Sequence, residues 1–204
     1  MNIFITSTNP NIAATHLDDT RLNKMILETA QILSTNNHLL NLSYKPYKIT
    51  HQNHPCTVWA RQSVQNALWL TDYLHALCTE YQHRFKKEHK TSQHVSSFYQ
   101  ALHVANISVF PQTEFTPFAN CAIDAHKPLD TVTAYQTTMC FKWHFDSIHK
   151  YIKLKWTNRS QPDFYTSFNP LNHIDHYQAY EFDRIASKEK ERAIAARKKA
   201  KQLF

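Results

Sequence analysis

The chain of 204 residues contains no glycine, whereas average usage of about 7% would supply roughly fourteen. Gly-rich phosphate loops need residues without a Cβ, so the sequence excludes the dinucleotide fingerprint, the Walker A loop and the Gly-rich loop of kinases. Tight β-hairpins also favour glycine at positive φ, which disfavours folds with many hairpins. We therefore expect an all-α fold. Asparagine should replace glycine in left-handed turns, for example at Asn36 and Asn37.

The composition is that of a folded chain of one domain. Hydrophobic residues make up 42% of the sequence and charged residues 19%, and about 200 residues suit a single hydrophobic core. We predict a compact helical domain over residues 1–183, opening with a short extended segment at residues 1–8. A basic helix or tail follows over residues 184–204.

Periodic apolar residues predict most of the chain as helix. A polar connection covers residues 36–55, and the longest helix begins at Pro55, which suits a first helical turn. That helix should run for nearly thirty residues. The other predicted helices are 12–17, 18–33, 91–106, 130–156 and 176–201.

The positive charge of the chain lies mostly at its C-terminal end. The formal net charge is +7, and residues 184–204 hold eight basic and two acidic side chains, a net of +6. This distribution indicates that electrostatic attraction to an anionic partner such as nucleic acid is concentrated in the terminal segment. The candidate phosphate-binding residues there are Arg192, Arg197, Lys198 and Lys199.

The cysteine and histidine patterns predict neither a metal site nor a cofactor. The four cysteines form no CxxC pair, and the fourteen histidines contain no HExxH motif;. Reduced thiols and the lack of a signal peptide favour the cytoplasm, which would be the host's if a phage encodes the chain. No apolar run is long enough to span a membrane. The cysteines are Cys56, Cys78, Cys121 and Cys140.

The first candidate site lies on the helix that begins near residue 18. At 100° per residue, Asp18, Arg21 and Glu28 share one helical face. Burying unpaired charge costs several kcal/mol, so this face either lines a cleft or holds side chains that pair with one another and with histidines of a neighbouring element. Lys24, four residues before Glu28, is either a catalytic amine or a surface partner of that carboxylate.

The second candidate site is the start of the helix at Pro55. His51, Asn53 and His54 gather where the first helical amides attract anions, and Arg61, further along the same helix, could reach the same place. This arrangement suits binding a phosphodiester or orienting a leaving group. The alternative is that Asn53 and His54 are helix caps and His51 is a loop residue.

Several stretches resemble a family of bacteriophage proteins. They are MNIF at residues 1–4, LNKMILETAQILST at residues 22–35 and HQNHPCTVWARQS at residues 51–63. More distantly, a short N-terminal segment, a charged helix and an Asn-His-Pro helix start are similar to pyrimidine dimer DNA glycosylases of the endonuclease V type. The resemblance implies a compact helical enzyme that excises bases with an N-terminal amine and a glutamate.

The sequence departs from that glycosylase pattern at two points. The family has an Arg-Glu pair in its first helix, whereas Arg21 precedes Leu22 here. The catalytic amine of the family belongs to a small residue that removal of the first Met exposes, whereas Met1 should be retained here before the bulky Asn2. We therefore expect Glu28 or Asp18 to activate water, with His54 nearby.

Three functions remain open from the sequence. The first is a phage-related DNA glycosylase or another enzyme that acts on a DNA base. The second is a noncatalytic protein that binds nucleic acid or a host protein, and the third is a structural phage protein without a catalytic site.

Overall fold

The computed structural model describes the backbone of residues 2–201 and the side chains of residues 2–194. Within this part the chain forms eight α-helices and no β-strand, which confirms the predicted all-α fold. Residues 2–8 form neither helix nor strand, and Phe4 has a positive φ of 42°, so the segment is not extended throughout as predicted. The helices are α1 (Pro10–His16), α2 (Asp19–Leu39), α3 (Pro55–Gln62), α4 (Val64–Phe85), α5 (Val95–His103), α6 (Thr131–His149), α7 (Asp163–Thr166) and α8 (Ile174–Lys201).

Helix α2 is longer than the apolar pattern predicted, and the turn expected at Asn36 and Asn37 is wrong. Both asparagines are buried in the last turns of α2. Their amides donate to the carbonyls of Thr57, at 3.0 Å, and Tyr44, at 2.7 Å. Distant backbone acceptors therefore keep these asparagines inside the helix, and the left-handed residue is Asn41, just beyond it.

The single long helix predicted from Pro55 is also wrong, because the chain breaks at Ser63. Its backbone is extended, with φ −145° and ψ 158°, and its hydroxyl caps α4 by accepting from the amide of Asn66 at 3.0 Å. The Asn66 side chain in turn donates to the carbonyl of Trp59 at 2.8 Å. The amide of Gln112 donates to Gln62 at 3.0 Å, so a distant loop helps to satisfy the interrupted helix end.

Helix α4 lies at the centre of the fold and packs against α1, α2, α3 and α5. The main hydrophobic cluster joins the aromatic residues Trp59, Trp69 and Tyr73 of α3 and α4 to Tyr135 and Trp143 of α6. Helix α3 also packs against α2, where the amide of Asn36 donates to the carbonyl of Thr57, and the second candidate site lies at the start of α3.

A buried ionic network also stabilises the centre. The side chain of Arg84, only 1% exposed, donates to Glu80 at 2.7 Å and to Asp19 at 3.1 Å. Arg159 donates to the other oxygen of Glu80 at 2.9 Å. Burial alone would raise the pKa of Glu80, but its hydrogen bonds from Arg159 and Arg84 outweigh burial and hold that pKa below its usual range;.

The C-terminal helices pack on the outside of this core. Helix α6 ends at His149 rather than near residue 156, because Lys150 adopts a left-handed conformation. Helix α8 packs on α6 through the ring of Tyr177, which meets Phe141 edge-on, and the basic segment begins within α8. Among the described residues, no helix combines the length and apolar character that a bilayer crossing requires.

Candidate functional site

Asp18 is the N-cap of α2 and is completely buried. One carboxylate oxygen accepts from the amides of Thr20, at 3.1 Å, and Arg21, at 3.2 Å. The other accepts from the Arg21 guanidinium at 2.8 Å and from the indole of Trp143 at 2.9 Å. Each oxygen therefore has two donors, and none of these contacts involves solvent.

Arg21 bridges Asp18 to Asp146, a carboxylate on α6. The guanidinium is largely buried between the two acids. Burial alone would lower the pKa of Arg21, but Asp18 and Asp146 outweigh it and raise that pKa;. The charges at this end of α2 are thus paired with one another inside the protein.

Glu28 lies ten residues after Asp18, about 15 Å along α2 at 1.5 Å per residue. Its side chain is 18% exposed and lies 3.4 Å from the ammonium of Lys24, which is 69% exposed. The structure therefore does not bring the two carboxylates together. Glu28 instead lies towards α3, close enough to His54 to influence its charge.

The segment that leads into α3 brings the second set of predicted residues together. His54, rather than Asn53, is the N-cap, and its Nδ1 accepts from the amide of Cys56 at 3.2 Å. His51 is exposed, with a positive φ of 46°. Arg61 donates to the carbonyl of Gln52 at 2.7 Å, so its guanidinium folds back onto the same loop.

The charge environment of His54 combines opposing effects. Burial lowers its pKa and the neighbouring His51 lowers it further, whereas the carboxylate of Glu28 raises it;. The overall shift is downward, which favours the neutral imidazole beside Glu28. A carboxylate and a neutral imidazole at a partly exposed surface can exchange protons with a bound substrate or water.

Two cysteines that the sequence analysis did not connect also meet at this site. The sulfur of Cys56 lies 3.6 Å from that of Cys121, which belongs to the loop before α6. The side-chain ligand atoms of His54, Cys56 and Cys121 all lie within 4.8 Å of one another. Because 65 residues separate the cysteines, no spacing motif could reveal the pair.

Asn2 and Tyr135 surround this cluster and were also missed. The hydroxyl of Tyr135 donates to Oδ1 of Asn2 at 2.9 Å. The amide of Asn2 donates to the carbonyl of Cys121 at 3.1 Å, and the backbone amide of Cys121 donates to Tyr135 at 3.0 Å. Asn2, near the start of the chain, therefore lies beside Cys56 and the first turn of α3.

Of the predicted phosphate-binding residues at the C-terminal end, Arg192 is the one whose side chain the structure describes. The guanidinium of Arg192 lies 5.8 Å from the ring centre of Tyr151, within range of a cation–π contact;. The side chains of Arg197, Lys198 and Lys199 lie outside the described residues.

Lys142 lines a cleft of about 510 Å³ between α6 and α8, together with Tyr180 and Arg184. Burial, with repulsion from Arg21 and Arg184, lowers the pKa of Lys142 to about 8;. The sequence analysis missed this lysine because nothing near residue 142 in the sequence indicates that α8 covers it.

The sequence model of the pyrimidine dimer DNA glycosylase family matches residues 1–93. This confirms the more distant of the two resemblances, over just under half of the chain. The matched segment extends through α4 and includes Glu28, His54 and Cys56, but not Cys121 or Lys142. Searches of curated proteins and of solved structures found no match.

Proposed function

We propose that this protein is a DNA glycosylase that hydrolyses the N-glycosidic bond of a damaged or modified pyrimidine. The observation that carries the proposal is the family match over residues 1–93. The same segment contains both Glu28 and His54, which lie near each other where α2 meets the start of α3. The resemblance to bacteriophage proteins adds hypermodified pyrimidines to the substrates worth testing.

Glu28 is the carboxylate we assign to catalysis. It is partly exposed, so it can activate a water molecule or stabilise the positive charge that develops on the sugar. Asp18 is the weaker candidate because it is buried and both of its oxygens already accept two hydrogen bonds each. Its partner Arg21 is engaged between two carboxylates in the same way.

The loop before α3 is the surface we assign to DNA contact. Arg61 brings a guanidinium to this loop through its hydrogen bond with Gln52, and His51 and Asn53 are exposed on it. These side chains suit binding of the phosphates that flank the target base. The basic end of α8 would add attraction that does not depend on sequence.

An amine mechanism is the alternative to activated water. Lys24 is exposed and lies 3.4 Å from Glu28. Its neutral amine could attack C1′ as the glycosidic bond breaks and the base leaves with a proton; the C1′–O4′ bond then opens, O4′ takes the second amine proton, and an imine to C1′ remains. The N-terminal amine is the second such group, because the glycosylases that the sequence resembles use one. Borohydride reduces an imine to a stable covalent link and therefore separates both amine routes from activated water.

The experiment is incubation of the protein with DNA duplexes that contain pyrimidine dimers or hypermodified pyrimidines, followed by alkali. Alkali breaks the strand at abasic sites, so we expect cleavage at the modified pyrimidine and none in the unmodified duplex. Parallel reactions with borohydride test for a covalent protein–DNA product. Failure to form abasic sites on any of these duplexes would contradict the glycosylase proposal.

The second candidate function is noncatalytic binding of nucleic acid. The net charge of +6 over residues 184–204 favours it, since a basic helix binds phosphates without any catalytic site;. This function predicts salt-dependent DNA binding with no strand cleavage after alkali. The same incubation therefore distinguishes the two functions.

A further inference from the structure

We propose that His54, Cys56 and Cys121 form a binding site for a zinc ion, with one coordination position left for water or a substrate atom. No two of these residues form a recognised metal motif in the sequence, and the site exists only because the loop before α6 meets the start of α3. The proposal does not depend on the glycosylase activity.

The distance between the two sulfurs supports a shared metal. Two thiolates bound to one tetrahedral zinc at about 2.3 Å each lie roughly 3.8 Å apart. The observed separation of Cys56 and Cys121 is 3.6 Å, close to that value. The ligand nitrogen of His54 lies within 4.8 Å of both sulfurs. A neutral imidazole has one lone pair, so on zinc binding His54 would exchange its bond from the Cys56 amide for the bond to the ion.

The chemistry of the three ligands selects the kind of ion. Thiolate and imidazole ligands suit zinc and similar soft or borderline ions, whereas magnesium and calcium prefer oxygen ligands. Two thiolates would also neutralise the double positive charge of zinc. This compensation is needed because Cys56 is fully buried and Cys121 is partly buried;.

The surroundings hold the ligands in place before an ion arrives. His54 and Cys56 lie in one helical turn, where the cap of α3 sets their backbone. The backbone of Cys121 is held on both sides, by Tyr135 at its amide and by Asn2 at its carbonyl. Such outer contacts orient metal ligands and increase affinity.

The number of protein ligands indicates an open position. Structural zinc sites use four protein ligands, whereas three ligands leave room for water or substrate. Among the described residues, the His, Cys, Asp and Glu side chains that gather here number three.

The test is metal analysis of the full chain, purified under reducing conditions, followed by cobalt titration of the metal-free protein. We expect one zinc per chain, and cobalt spectra with thiolate charge-transfer bands and the intense visible bands of tetrahedral coordination. Cys56→Ser and Cys121→Ser should each weaken binding by more than the roughly 10- to 100-fold that loss of an outer contact costs. Cys78→Ser and Cys140→Ser, which alter buried thiols outside the cluster, should bind as the wild type does.

His54→Asn is the variant that separates ligation from folding. Asparagine is as good a helix cap as histidine or better, so α3 should persist, as circular dichroism would show, while zinc affinity falls. The proposal would be overturned if the reduced wild type bound cobalt without thiolate bands or not at all. Unchanged affinity in folded Cys56→Ser and Cys121→Ser would overturn it equally.

Discussion

The indole of Trp143 donates a hydrogen bond to Oδ2 of Asp18 over 2.9 Å, and both side chains are completely buried. Trp143 belongs to α6, outside the segment that matches the glycosylase family, whereas Asp18 begins α2 inside it. The bond therefore joins the family-like part of the chain to the remainder. It also assigns Asp18 a structural role, since a buried carboxylate is stable only when its oxygens are satisfied.

We predict that Asp18→Ala destabilises the fold by about 3–5 kcal/mol, the usual cost of removing one partner of a buried ion pair. The substitution removes the cap of α2, leaves the Trp143 indole without its acceptor and takes one carboxylate from Arg21. The free energy of unfolding in urea measures the effect. As the control, Asp124→Ala removes an exposed ion pair with Lys127 and should leave the free energy of unfolding nearly unchanged. Equal effects of the two substitutions would contradict the assignment.

We predict that Glu28→Gln lowers glycosylase turnover by about 10²- to 10⁴-fold, the usual contribution of a general acid or base. DNA affinity and thermal stability should stay close to those of the wild type, because the amide has the same shape and the partner of Glu28 among the described side chains is the exposed Lys24;. Single-turnover kinetics measure the rate of base release, a binding titration measures DNA affinity, and thermal unfolding measures stability. The control is Glu88→Gln, an exposed position in the same matched segment. A loss of stability with unchanged turnover would show that Glu28 is structural.

We predict that deletion of residues 188–204 weakens nonspecific DNA binding and flattens its dependence on salt. The deletion removes a net charge of +5 but keeps Tyr177 and Tyr180, which pack on α6. The slope of log K against log salt should fall by up to about 5 if each lost charge meets a phosphate. Titrations at several salt concentrations measure it, and an unchanged slope would show that this segment does not contact DNA.

We predict that Lys142 makes stability rise with pH between about 8 and 10.5, relative to Lys142→Met. Burial, with Arg21, Arg184 and Lys24, lowers the pKa of Lys142 from 10.5 to about 8, although Asp146 opposes the shift. Between these values the unfolded chain binds more protons than the folded one, so raising the pH favours folding. Below pH 8 both states are protonated, and the stability difference between wild type and variant should be constant. Urea unfolding of both proteins from pH 7 to 10 measures this stability difference. A difference that stays the same over the whole pH range would contradict the prediction.

The features that the sequence predicted correctly depend on neighbouring residues. The lack of glycine and the apolar periodicity are sufficient for an all-α fold, because both act through local backbone geometry and helical faces. Pro55 begins a helix, as expected of proline in a first turn;. Similarity to the glycosylase family was also visible in short stretches near the N-terminus.

Contacts between residues far apart in the sequence determine the helix ends and side-chain pairs that the sequence did not predict. Asn36 stays helical because the carbonyl of Thr57 accepts a hydrogen bond from its side-chain amide. The helix that begins at Pro55 stops at Ser63, where the amide of Gln112 donates to the carbonyl of Gln62. Cys121 joins Cys56 only when the loop before α6 folds onto α3. Local sequence sets which backbone conformations are favourable, but the partner of a polar side chain is selected by packing, because only folding brings donors and acceptors from separate segments within reach.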